Sequence, residues 1–215
     1  MHCSPAIDFH RKLIKKLILF VLASYIVLFF FTSDASAQTL LFEDGFEGGL
    51  TSWSWISGSS PNNMWTTTSY SHSGRKSLIM RLSDADPQKY LHLQKSFTTT
   101  TNITVRAYFY DAMQNMLGSI MEVKKPGSNE GTALGVRTTD STSTYIFRIN
   151  NSSNHLNTGV TRRRGWHLFE LVVTPTGTFG KIDGEFIGLV NTTQTQTDSV
   201  NLISSWGLFG DAYFD

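Results

Sequence analysis

Bond-breaking chemistry needs groups that act together, and the acidic side chains of this sequence are scattered. Glu122, Glu130, Glu170 and Glu185 stand singly, whereas a retaining glycoside hydrolase sets two carboxyl groups roughly 5 Å apart across the scissile bond. Glu122 lies where a catalytic acid would be useful but has no obvious partner. His92 and His155 are isolated, no Ser-His-Asp order or G-x-S-x-G turn occurs, and no Cys/His cluster suggests zinc. Catalysis is not expected.

Binding chemistry is better represented. Sugars present C–H faces that stack on Trp and Tyr, while their hydroxyls exchange hydrogen bonds with polar neighbours. Arg106, Tyr108 and Tyr110 share one face of a strand-like run, and Glu122, Arg137 and Arg148 fall on the polar sides of theirs. If those strands lie side by side, these six residues line one surface. The other reading is an ordinary solvent-facing sheet carrying large β-formers. Trp53, Trp55 and Trp65 sit in polar, Gly- and Ser-rich stretches. Trp65 is the preferred ligand contact among them, with plugging of a sandwich end as the alternative. Trp166 and Trp206 are expected in the core.

The elements that position these residues read as strands. The stretch from Trp166 to Val190 holds three apolar runs that pivot on Pro175-Thr176-Gly177 and on Asp183-Gly184. Asp-Gly between such runs signals a two-residue type I′ hairpin, which needs φ > 0 at both central residues. In Ile103–Tyr110, Ile103, Val105, Ala107 and Phe109 alternate with Thr104, Arg106, Tyr108 and Tyr110. Further strands are expected at 39–46, 71–82, 90–97, 119–125, 134–139, 143–150 and 200–215. Residues 134–139 and 143–150 should form an antiparallel pair. Asp111–Leu117 is the one short stretch that reads as one or two helical turns. Short strands between turn signals predict two packed antiparallel sheets.

The first residues belong to export rather than to the fold. Arg11, Lys12, Lys15 and Lys16 precede an apolar run, Leu17–Phe31, and Ala35-Ser36-Ala37 follows as a cleavage site. The run is shorter than the roughly 20 residues a spanning helix wants, so residues 1–37 are expected to leave as a signal peptide. The domain is then 38–215, secreted or at the cell surface, without a stable membrane anchor. That part carries fourteen basic against fifteen acidic residues, a balance that offers no basic patch for nucleic acid or anionic lipid. The only cysteine, Cys3, lies in the leader, so the domain depends on its core without disulfides.

The Trp166-His167 opening followed by the Asp183-Gly184 hairpin resembles the laminin-G and concanavalin A-like lectin/glucanase superfamily. FEDGFEGGLTSW (42–53) and SHSGRKSLIMRL (71–82) are similar to secreted jelly-roll domains, including carbohydrate-binding modules. The resemblance implies an all-β, two-sheet jelly roll with glycan or polysaccharide as partner. It also implies a structural calcium that ties the chain ends together, with Asp44, Glu47 and Asp215 as ligands. His167 becomes a structural residue of the W-H pattern. Laminarinase-type relatives place their acids as E-x-D-x-x-E, and that motif is absent: in Glu43-Asp44-Gly45-Phe46-Glu47 the Asp comes one position early, which turns it to the opposite face of a strand. Lyases of similar fold use His, Tyr, Arg and Gln, but neither His92 nor His155 sits in such a motif. Relatives also continue past the closing Phe-Asp, so the sequence reads as though its last strand were truncated. The expectation is an exported, non-catalytic glycan-recognition domain. The alternatives are a surface structural or adhesive domain, and then a polysaccharide hydrolase or lyase.

Overall fold

Alternating apolar residues separated by tight turns leave the backbone little choice but extended strands, and these must pair to satisfy their N–H and C=O groups. The computed structural model describes residues 39–56, 61–82, 90–114, 118–150, 155–205 and 210–215. The expected leader and Trp206 lie outside the described residues. No helix among the described residues is long and apolar enough to cross a membrane.

The described residues form fourteen strands. The first seven are β1 (Ser54–Trp55), β2 (Met64–Thr67), β3 (Ser77–Leu82), β4 (Tyr90–Thr100), β5 (Ile103–Asp111), β6 (Ser119–Lys124) and β7 (Gly131–Val136). The rest are β8 (Thr144–Arg148), β9 (His155–Thr161), β10 (Gly165–Thr174), β11 (Gly177–Ile182), β12 (Glu185–Asn191), β13 (Thr197–Ser205) and β14 (Gly210–Phe214). They form two seven-stranded sheets, antiparallel throughout. Sheet I runs β1-β4-β13-β6-β7-β8-β9, and sheet II runs β12-β11-β10-β5-β14-β3-β2. The architecture is the expected all-β sandwich, and β7 and β8 pair as expected.

The Asp183-Gly184 hairpin is built as its composition demands, with φ of 53° and 83° at the two turn residues. Asp183 also closes the strand base: its Oδ1 accepts from Leu168 N–H at 2.8 Å, and its Oδ2 meets His167 Nδ1 at 2.7 Å. His167 Nε2 lies 2.9 Å from Arg163 O, so the ring is held at both nitrogens. Gly177, at φ 146°, passes so close to β12 that a Cβ would stand 2.8 Å from Asn191 O.

The faces that the two sheets turn towards each other make the core. Phe109 of β5, Phe169 of β10 and Phe214 of β14 pack from sheet II against Leu91, Leu93, Met121, Leu134, Tyr145 and Phe147 of sheet I. Tyr145 meets Phe169 edge-on at 5.3 Å across the two sheets. Ile103, Val105, Ala107 and Phe109 face this core as the alternation predicts. A fully buried ion pair sits at its margin: Arg162 donates from Nε and Nη2 to Asp111 Oδ2 and Oδ1 at 2.9 and 2.8 Å.

Three expectations change. Residues 39–45 form no strand; the chain runs irregularly into a turn at 46–48, with Asp44 capping Phe46 N–H at 2.8 Å, because Asp and Gly satisfy backbone locally more readily than they extend. Residues 112–114 are not helical. Trp166 leaves the core, since His167, Phe169, Leu171 and Val173 take the inward face of β10 and period two turns Trp166 outward.

Candidate functional site

The side chains that do not enter the core lie on two outer faces, which point in opposite directions. On sheet II, strand register aligns Trp65 (β2) with Ile79 (β3), Ile79 with Tyr213 (β14), Tyr213 with Tyr110 (β5) and Tyr110 with Trp166 (β10). The result is a mainly aromatic row that crosses five strands, about 19 Å at the usual spacing between neighbouring strands. The segment before β3 folds onto it. Tyr70 stacks on Tyr110 at 4.4 Å and meets Tyr213 edge-on at 4.9 Å. His72 stacks on Tyr108 at 3.4 Å and meets Trp166 at 5.9 Å. Tyr70 and Trp65 remain 41% and 37% exposed at the surface of the patch.

Ion pairs border the row on both sides. Arg81 donates to both oxygens of Asp211 at 2.6 and 2.7 Å, and its guanidinium lies 5.3 Å from the Trp65 ring centre. This carboxylate raises the Arg81 pKa. Tyr213 Oη donates to Asp211 Oδ2 at 3.1 Å, and burial, with Asp211 adding to it, pushes the phenol up to about 12. On the other side Arg106 Nε donates to Glu170 Oε1 at 2.8 Å.

The outer face of sheet I has a different character. Glu122 (β6) is buried between two donors: Arg148 (β8) donates through Nη2 to Oε1, and Asn201 (β13) donates through Nδ2 to Oε2 at 2.8 Å. Ile120, Ala133, Ile146 and Ile203 form a small apolar cluster next to them. Burial holds the His92 imidazole below its ordinary pKa, against the opposing pull of Asn201 and Glu122. Arg137, just past β7, donates to Thr139 Oγ1 at 3.0 Å and lies 3.1 Å from Asp140 and 3.3 Å from His155 Nε2. At the β6–β7 hairpin end of this face, an open depression of about 370 Å³ is lined by residues including Gln94, Ser96, Phe97, Lys124, Asn129 and Asp198.

The residues expected to bind ligand are therefore divided. Trp65, Arg106, Tyr108 and Tyr110 share the outer face of sheet II, while Glu122 and Arg148 belong to sheet I and Arg137 follows its strand β7. The single surface expected of Arg106, Tyr108, Tyr110, Glu122, Arg137 and Arg148 does not form, because β5 and β6 enter different layers. Trp53 is buried and donates its indole N–H to Asp44 Oδ2 at 2.9 Å, whereas Trp55 is exposed on edge strand β1. Tyr70, His72 and Tyr213 complete the aromatic face and were not foreseen. Alternation in Asp211–Phe214 could have suggested Tyr213; nothing periodic marks Tyr70 or His72.

The three residues expected at calcium meet in part. Glu47 Oε1 accepts from Arg75 and Lys76 N–H, the latter at 2.8 Å, and these amides hold its pKa below the ordinary value. Asp215 Oδ2 accepts from His72 and Ser73 N–H at 2.8 and 2.9 Å. Both carboxylates thus grip one turn, residues 72–76. Asp44 instead takes hydrogens from Phe46 N, Ser52 Oγ and Trp53 Nε1. Among the described residues, no group of three or more His, Cys, Asp or Glu side chains converges as a metal site.

Solved structures share this fold at low identity. The cellulose induced protein Cip1 superposes with a TM-score of 0.62 at 16% identity, over 80% of this chain and 93% of that one. A Bacillus licheniformis beta-glucanase matches with a TM-score of 0.52 at 15% identity, over 80% and 93%. The likeness is one of fold, a two-sheet antiparallel β-sandwich of the jelly-roll kind. A sialidase matches this jelly roll with a TM-score of 0.57 at 14% identity, over 80% of the chain but 17% of its own length. No family model matches the sequence, and no curated protein matches it. At such identities the likeness concerns architecture, and sites must be argued from their own residues.

Proposed function

We propose that the chain is an exported, non-catalytic domain that recognises carbohydrate along the aromatic row of sheet II. The observation that carries this reading is the register-aligned set Trp65, Tyr213, Tyr110 and Trp166, extended by Tyr70. Trp65 and Tyr70, the exposed rings, can stack on sugar faces, with Tyr110 and Tyr213 packed beneath Tyr70 as support, and the bordering Arg81–Asp211 and Arg106–Glu170 pairs offer polar atoms to the sugar hydroxyls. Two of the structural relatives bear the names of glycan-acting proteins, a sialidase and a beta-glucanase. The non-catalytic part is supported by Glu122, whose partners are a guanidinium and an amide where a hydrolase would want a second carboxyl group. Export is supported by the leader pattern.

Depletion on insoluble cellulose, chitin and mannan, with affinity electrophoresis in soluble β-glucan, tests the reading. Trp65→Ala and Trp166→Ala should each weaken binding by about tenfold, on the order of one stacked ring, and Glu122→Gln should leave it intact. Binding to none of these glycans, or binding indifferent to both tryptophans, refutes the site. Glu122-dependent release of reducing ends or unsaturated products refutes the non-catalytic part.

Calcium belongs to the same proposal. Glu47 and Asp215 would hold it, with carbonyl oxygens of the 72–76 turn completing the oxygen set that Ca²⁺ requires. Asp44 would act by shaping the 44–47 turn. The ion would supply structural cohesion, fastening the turn that carries His72 onto the aromatic face.

A further inference from the structure

On the opposite side of the sandwich, we propose that the depression at the β6–β7 hairpin end of sheet I is a second sugar subsite. It takes one uncharged, hydroxyl-rich ring. The inference goes beyond the aromatic row and rests on different residues. The volume, about 370 Å³, falls at the small end of the ~300–1,000 Å³ typical of ligand sites. Its walls are amides and hydroxyls, from Gln94, Ser96, Ser128, Asn129 and Ser199, with Phe97 as the one aromatic surface.

Charge decides the ligand class. Lys124 and Asp198 line the same depression and bring one charge of each sign. An anion that paired with the ammonium would meet the carboxylate, and a cation would meet the reverse. A hydroxyl suffers from neither, because it accepts from Lys124 and donates to Asp198. Adjacent hydroxyls on one ring satisfy both at once, leaving the neutral amides to read the remainder. The walls are also held in place. Ser199 Oγ donates to Asp198 Oδ1 at 3.0 Å, and Ser128 Oγ accepts from Glu130 N–H at 3.0 Å, which braces the hairpin. Strand pairing sets Ser199 opposite both Lys124 and Ser96, so three strands present their side chains to one opening.

The test is an NMR titration of the isotope-labelled protein with glucose, galactose, mannose and N-acetylglucosamine, each alone, and with glucuronate and glucosamine as charged counterparts. At least one neutral sugar should shift the amides of Lys124, Ser128, Asn129 and Ser199. Lys124→Met and Asp198→Asn should each weaken that response about tenfold, as expected when a hydrogen bond to a charged group is lost. Should either variant fail to fold, Asn129→Ala on the exposed hairpin serves in its place. Silence with every neutral sugar overturns the subsite, as does tighter binding of glucuronate or glucosamine. Shifts confined to residues around Trp65 and Trp166 overturn it too, while leaving the aromatic site standing. Loss of polysaccharide binding on Trp65→Ala with the pocket response intact would separate the two sites.

Discussion

Replacing Arg148 with Met leaves Glu122 on the buried outer face of sheet I with Asn201 as its remaining described donor. The two side chains of the pair are 13% and 5% exposed, so little water is at hand to take over from the guanidinium. Breaking a buried pair by removing one partner costs roughly 3–5 kcal/mol, and the residual exposure of Arg148 puts the expectation at the lower end, about 3 kcal/mol. For a domain of this size that corresponds to a fall in melting temperature of roughly 6–12 °C. Arg148→Met/Glu122→Gln should recover part of the loss, because no uncompensated charge then stays buried. Urea unfolding of the wild type, both single variants and the double variant closes a thermodynamic cycle. A loss below about 1 kcal/mol in Arg148→Met, the range of exposed ion pairs, would refute the reasoning. So would a double variant less stable than Arg148→Met alone.

Other consequences can be checked directly. EDTA should lower the melting temperature and added CaCl₂ restore it, and Glu47→Gln should abolish the response; an identical melting curve with and without EDTA would remove calcium from the proposal. Burial depresses the His92 pKa, so its contribution is complete above the unfolded value of about 6.5 and drains away as pH falls through the lower folded value. His92→Gln should therefore flatten the decline in stability just below pH 6.5, and an unchanged slope in pH-dependent denaturation would contradict this. Gly177→Ala forces a Cβ towards Asn191 O at a φ of 146°, which should cost roughly 1–3 kcal/mol, whereas Gly184→Asn, at a turn position Asn tolerates, should cost less in the same unfolding assay.

Local rules determined a large part of this protein from sequence alone. The Asp183-Gly184 turn followed from the need for two positive φ angles, and the inward set of β5 followed from period two; both depend on neighbours along the chain. The aromatic face was half visible, since Tyr108 and Tyr110 had to share a side of β5. Long-range pairing decided everything else. Trp166 and Phe169 stand on opposite faces of β10, each beside apolar companions, and only the placement of sheet I over Phe169 makes one core and the other surface. Likewise, nothing in Ile103–Tyr110 or Ser119–Lys124 says that β5 joins β14 while β6 joins β13. That choice belongs to crossovers between residues far apart in sequence, and it carried Glu122 and Arg148 to the side of the sandwich opposite Arg106, Tyr108 and Tyr110.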